Sequence, residues 1–301
     1  MPPQYEYPLG AFHENELRHL DHFMDVAGRN DMYVMIPFIG GLAIAVQTDF
    51  AYSNPHGIEG LIRQPELREG FKQHMAKLIT RVNPINGRKY SEDPTILSWM
   101  IIEEFISTPS NYPHGFPNVT ASEIADWVEE NAAYIKTLDQ NHLVSINTTA
   151  AIDTFDQMRQ DWKLIFNAPA LDFIEVEDAE ARILDQSDGM DTFNTLFSLN
   201  RPVVMMLSFI REATDQTKGC QDYHSTADTM RQVANLYLDE EVDGFTIFSW
   251  RANTYASPPY DECRSYSIDT PEIMSALSDI SSKLGVFNVP PIPLDLVGLI
   301  H

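Results

Sequence analysis

The chain has 301 residues, 44% of them apolar, and a net charge of −24 from 44 acids against 20 bases. That length supplies one large core or two modest ones, while the scarcity of Lys and Arg disfavours a phosphate-binding face and hence nucleic acid as partner. No apolar run approaches the length of a membrane span, and two cysteines, Cys220 and Cys263, make at most one bridge.

The start, "MPPQYEYPLG", has neither a basic region nor an apolar h-region. On this reading a signal peptide is absent or already removed, and a secreted, extracellular setting stays open. Few lysines among many carboxylates fit either a halophilic protein kept soluble in strong salt or an ordinary acidic one.

Helical periodicity alternates with short apolar runs along the whole chain. A first helix over 14–27 turns Leu17, Leu20, Phe23, Met24 and Ala27 inward, and "MYVMIPFI" (32–39) follows as a strand. A second helical face carries Leu67, Phe71, Met75, Leu78 and Val82, ahead of the strand "TILSWMII" (95–102). Thr120-Ala-Ser-Glu123 is a capping box. It opens a helix whose buried stripe is Ile124, Trp127, Val128, Ile135 and Leu138.

Strands are then predicted at "HLVSIN" (142–147), "LDFIEVE" (171–177), "RPVVMMLSF" (201–209) and "GFTIFSW" (244–250). Between them lie a helical turn around Phe193 and Phe197 and a helix carrying Met230, Val233, Ala234, Tyr237 and Leu238. The last helix holds Ile273, Met274, Leu277, Ile280 and Leu284. The prolines of the 286–301 tail forbid a helix at its start. The whole, 1–301, reads as a single domain.

Six near-continuous apolar strands, each followed by a helical segment, mean a parallel sheet buried on both faces. A (β/α)8 barrel and an open doubly wound sheet both satisfy this. No G-x-G-x-x-G turn follows the first strand, which disfavours the nucleotide-binding version of the open sheet. Polar residues gather at the strand C-termini: Glu103, Glu104, Asn147, Glu175, Glu177, Ser208, Trp250 and Arg251. Barrel enzymes place their working groups at that edge.

Several runs carry a resemblance: "GAFHENELRHLDHFMDVAGRNDMYVMIPF", "ITRVNPINGRKYSEDPTILSWMIIEEF", "NAPALDFIEVED", "LNRPVVMMLSF" and "DGFTIFSW". Together they are similar to glycoside hydrolase family 5, and within it to endo-β-1,4-mannanases. The stretch 81–104 is the most specific. The resemblance implies a (β/α)8 TIM-barrel-like fold, lacking or truncated in its first βαβ unit. It implies a polysaccharide or oligosaccharide partner, and a second copy of the chain covering the open barrel edge is a further expectation. No cofactor is implied.

Retaining enzymes of that kind use two carboxyl groups about 5–5.5 Å apart. The resemblance puts Glu104 at the acid/base position, Glu103 where the family has Asn, and Glu177 and Ala179 where it has His and Tyr. The nucleophile position falls on Leu207 or Ser208, neither of which is a carboxylate, and Glu212 lies several residues beyond. The pattern is that of a degenerate catalytic pair, leaving open a hydrolase with an unidentified second group and a non-catalytic pseudoenzyme that binds glycan or serves in assembly. Trp250, with Arg251 beside it, matches a sugar-stacking aromatic or is a core Trp between strand and helix. Tyr255, Tyr260 and Tyr266 in the following loop either extend that platform or pack the loop. Glu103, Glu104, Glu175 and Glu177 together suggest an acidic mouth, but no spaced ligand motif makes it a metal site, and the nine histidines show no zinc spacing.

Overall fold

The computed structural model describes residues 14–39, 57–103, 119–148, 163–179, 193–194, 196–199, 201–208, 223–248, 250–251, 266–267 and 271–283. Its helices are α1 (Glu14–Arg29), α2 (Gly57–Arg63), α3 (Pro65–Ile79), α4 (Ala121–Leu138), α5 (Tyr223–Asp239) and α6 (Pro271–Lys283). The strands are β1 (Val34–Pro37), β2 (Ile96–Met100), β3 (Leu143–Ser145), β4 (Asn147–Thr148), β5 (Ile174–Ala179), β6 (Val203–Ser208), β7 (Gly244–Phe248), β8 (Trp250–Arg251) and β9 (Tyr266–Ser267).

β3 and β4 are one strand interrupted at Ile146, because the backbone bonds Ile101 N–H to Ser145 O and Asn147 N–H to Ile102 O run straight across the break. The result is a parallel sheet of six strands from β1 to β7, each beside its predecessor. A doubly wound sheet would reverse direction at a switch point. This order never reverses, so the sheet is singly wound and barrel-like, although the described residues do not close it. β8 and β9 form a separate parallel pair.

Strand alternation divides the sheet into two faces. Trp99, Val144, Ile174, Val176, Val203, Met205 and Leu207 lie fully buried under the helices. Ser98, Ser145, Asn147, Glu175 and Glu177 line the interior face. Phe38 stacks on Trp99 at 5.3 Å within the sheet layer, Phe71 stacks on Trp127 at 5.7 Å between two helices, and Phe38 meets Phe71 edge-on at 6.5 Å to join the layers. At the other end of the sheet Tyr237 meets Phe245 edge-on at 5.4 Å.

The capping box forms as its spacing predicts: Thr120 Oγ1 accepts from Glu123 N–H, and Glu123 Oε2 accepts from Thr120 N–H. The placement of Val82 on the α3 face is corrected. Val82 lies beyond the end of α3 and is 57% exposed. Thr80 caps that helix, and the chain turns at once into a small hairpin that pairs Val82 with Lys89 and needs φ of +73° at Gly87. Met274 is also exposed, because on α6 the inward row is Ile273, Ala276 and Ile280.

That hairpin is bolted to α1. The Arg81 guanidinium donates to both carboxylate oxygens of the fully buried Asp21, at 2.8 and 2.5 Å, and to Glu14 at 2.7 Å. Tyr90 Oη donates to Asp21 Oδ1 at 2.9 Å, and Asn83 Nδ2 to the Asp21 carbonyl. The hydrogen bonds and charge of Asp21 and Glu14 hold Arg81 firmly protonated. Much of the 81–104 stretch that resembles the hydrolase family is therefore spent on anchoring the N-terminal side of the barrel.

Candidate functional site

The candidate site lies where the strands end. β2 runs into Ile101, Ile102 and Glu103, and the Glu103 N–H donates to the Ile39 carbonyl at 3.0 Å, extending the β1–β2 pairing to the mouth. Glu103 is half-buried there. Glu104, Tyr255, Tyr260, Glu212, Cys220 and Cys263 lie outside the described residues. Trp250 and Arg251 are placed by their backbone, in parallel register with Tyr266 and Ser267.

β5 carries three acids in four residues, and the structure separates them by face. Asp178 accepts from Tyr237 Oη of α5 at 2.7 Å, so it looks out toward the helices. Glu175 and Glu177 alternate with it and face the interior, both almost fully buried. Glu175 Oε2 accepts from Asn147 Nδ2 at 3.0 Å, and Oε1 from Thr246 Oγ1 at 2.9 Å. The second bond passes over β6, which is possible because the sheet is concave on that side. Burial pushes the Glu175 carboxyl above the usual carboxylate range, and the two neutral donors only partly oppose it.

The sequence pointed to Asn147 and Glu175 as strand-end polars but missed Thr246. Its signal was available: in "GFTIF" Thr246 is the polar residue on the alternate face. With both oxygens taken by Asn147 and Thr246, Glu175 belongs to the packed floor of the mouth rather than to an open acidic rim. Among the described residues no group of three or more His, Cys, Asp or Glu side chains is arranged to hold a metal ion.

β6 fixes the remaining position. Leu207 is paired with Asp178 and Ile247 and is fully buried in the helix layer. Position 208, paired with 179 and 248, is the next one in register on the interior side. Of the two residues that the resemblance left at the nucleophile position, register gives the barrel side to 208.

With this geometry in hand, the relatives can be compared. Residues 56–178 match a family model described as GH family 5 beta-mannosidase-like. Mannan endo-1,4-beta-mannosidase 5 of Arabidopsis thaliana is 28% identical over 145 residues, 46% of this chain and 32% of that protein. The chain thus aligns with about a third of the length of such curated relatives. Among solved structures, an endo-beta-1,4-mannanase from Thermotoga petrophila superposes with a TM-score of 0.69 at 17% identity, covering 91% of this chain and 63% of that one. A glycoside hydrolase family 5 mannosidase from Rhizomucor miehei gives 0.68 at 18% identity, covering 95% and 80%. The fold is that of the (β/α)8 barrel mannanases. The chain resembles glycoside hydrolase family 5 on its mannanase side, in sequence across β2 to β5 and in fold over nine-tenths of its length.

Proposed function

We propose that this protein engages a β-linked polysaccharide, β-mannan before cellulose or xylan, at the strand C-termini, and that it binds the glycan without cleaving it by the two-carboxylate route. One observation carries the second half. The barrel-side position at the end of β6 is a serine, and its neighbour Leu207 is locked under the helices. A retaining glycosidase needs a carboxylate there to form the glycosyl-enzyme, and a serine hydroxyl is a weak nucleophile at its free pKa. The resemblance to mannanases supports the ligand class.

In this reading Glu104 keeps the acid position, and Glu103 and Glu177 flank it in place of neutral sugar-binding groups. Trp250, Arg251 and Tyr255 form the sugar platform. An aromatic face suits the flat apolar side of a pyranose ring. A glycan ligand fits an extracellular setting, and the strongly acidic chain disfavours nucleic acid.

The test is an assay of β-mannan, cellulose and xylan for released reducing ends, run beside a binding measurement on the same polymers. The expected result is binding to mannan without cleavage. Trp250→Ala should weaken that binding at least about tenfold, which is ~1.4 kcal/mol. Cleavage by wild type that is lost in Glu104→Gln would instead establish a hydrolase whose second carboxylate comes from elsewhere. Glu177 is the described group facing that side. Failure to bind any of the three polymers would refute the proposal.

A further inference from the structure

His142 sits in the turn between α4 and β3, almost fully buried. Its Nδ1 lies 2.7 Å from Asp139 Oδ2, and its Nε2 lies 3.0 Å from the Asp93 carbonyl oxygen. A carbonyl only accepts, so Nε2 carries a hydrogen. Asp139 accepts three further hydrogen bonds. Its Oδ2 also takes the Trp99 indole N–H at 2.7 Å, and its Oδ1 takes the backbone N–H groups of Asn141 and His142. A carboxyl group receiving those donors is ionised, so Nδ1 must carry a hydrogen as well. A neutral ring of either tautomer would set a bare nitrogen against an oxygen lone pair.

We propose that the N-terminal end of the barrel holds a pH-sensitive latch: a buried His142 imidazolium, donating from both nitrogens, that ties the α4–β3 turn to the approach of β2 and lets go when the ring loses its proton. The latch has three arms. Asp139 is the C-cap residue of α4, Asp93 stands three residues ahead of β2, and Trp99 lies within β2 with its ring edge-on to His142 at 6.3 Å. β2 and β3 pair directly, Trp99 opposite Val144. The ring therefore guards the register of the strand whose far end carries Glu103.

The charges around the ring are few. Asp139 contacts it directly. The Asp93 carboxylate accepts from Thr95 N–H at 3.1 Å and stands 3.5 Å from Arg88 Nη1, which offsets part of its charge. Burial alone would disfavour the imidazolium. The Asp139 hydrogen bond and charge, with the Asp93 carbonyl, outweigh it and hold the pKa above the ordinary histidine value. A folded-state pKa above the unfolded one means the stabilisation is complete below the unfolded value and is lost as pH rises through the folded one.

Nitrogen-15 spectra of the full chain test this directly. The expected result at neutral pH is a His142 ring with protons on both nitrogens, titrating later than an ordinary histidine. A neutral His142 ring at that pH overturns the proposal. Thermal melting across the same range adds a second readout. The wild-type midpoint should fall by several degrees as pH rises through the His142 titration, and hydrogen exchange at the β2–β3 amides should accelerate in step. Asp139→Asn removes the anion, so its melting point should be lower at neutral pH and lack that slope. An unchanged slope in Asp139→Asn counts against the latch. Should that variant not fold, the wild-type spectrum and its exchange profile decide the matter alone.

Discussion

The two ends of this barrel are built on opposite principles. At the N-terminal end two buried carboxylates are enclosed by partners: Asp21 by Arg81 and Tyr90, and Asp139 by Trp99 and His142. Charge there meets opposite charge at hydrogen-bonding distance, and the reward is a fixed geometry. At the C-terminal end acids face the interior with no basic side chain among the contacts described for Glu175, which leans on an amide and a hydroxyl. Barrel folds divide labour in this way, with stability invested at the bottom and ligand chemistry at the top. The comparison teaches that the segment most like a hydrolase in sequence, 81–104, serves both ends: its first half anchors, and only its last residues reach the mouth.

That division is open to attack by mutation. The largest expected effect is from Asp21→Ala, which leaves the Arg81 guanidinium with only the exposed Glu14 as acidic partner and removes the acceptor of Tyr90. Breaking a buried pair by deleting one partner costs about 3–5 kcal/mol. Urea unfolding should show it, and a loss below about 1 kcal/mol would mean that the bottom is not the anchor claimed here.

Glu175→Gln probes the other end and should cost far less. A glutamine can accept from Asn147 and donate to Thr246, so stability at neutral pH should change by no more than about 1 kcal/mol. Its signature is instead in the pH profile. Because burial raises the folded-state pKa of Glu175, the wild type loses stability as pH climbs from the unfolded carboxylate value through the folded one. Glu175→Gln should lack that contribution. A steep loss of stability in this variant at neutral pH would show that the floor needs a charge, as the bottom does.

The smallest effect sharpens the picture away from both ends. Thr120→Ala removes the capping hydroxyl of α4, worth about 1 kcal/mol. Glu123 remains held by Arg63 through bonds of 2.9 and 3.0 Å, so the helix start should loosen without shifting. A melting curve measures it.

Much of the fold was legible beforehand, and its particulars explain why. All six strands were read correctly because their apolar runs are buried on both faces, and hydrophobic runs announce that burial locally. The Thr120–Glu123 box was readable because both of its partners lie within one turn. Val82 was misplaced because a helical period continues past the end of α3, while Thr80 and the Gly87 hairpin, not hydrophobicity, decide where that helix stops.

The candidate site was legible in residue type and less so in role. "MMLS" offered two residues for one position, since a one-residue change of register exchanges faces. Only the pairing of Leu207 with Asp178, itself bound to Tyr237, assigns 207 to the helix side. Glu175 looked like a rim acid until Thr246 was seen to claim one of its oxygens.

By itself, then, the amino-acid sequence determined the alternation of strands and helices, the inward stripes, the helix caps and the acids at the strand ends, since each is written in residues that lie within a few positions of one another. The tertiary structure alone decided which acid is solvated, bridged or charged, and which face each strand end presents. Those outcomes depend on partners far apart along the chain: Tyr90 and Asp21 are separated by 69 positions, and Thr246 and Glu175 by 71. No local periodicity encodes a hydrogen bond across such a distance; only the packing of distant segments against one another brings the two groups together.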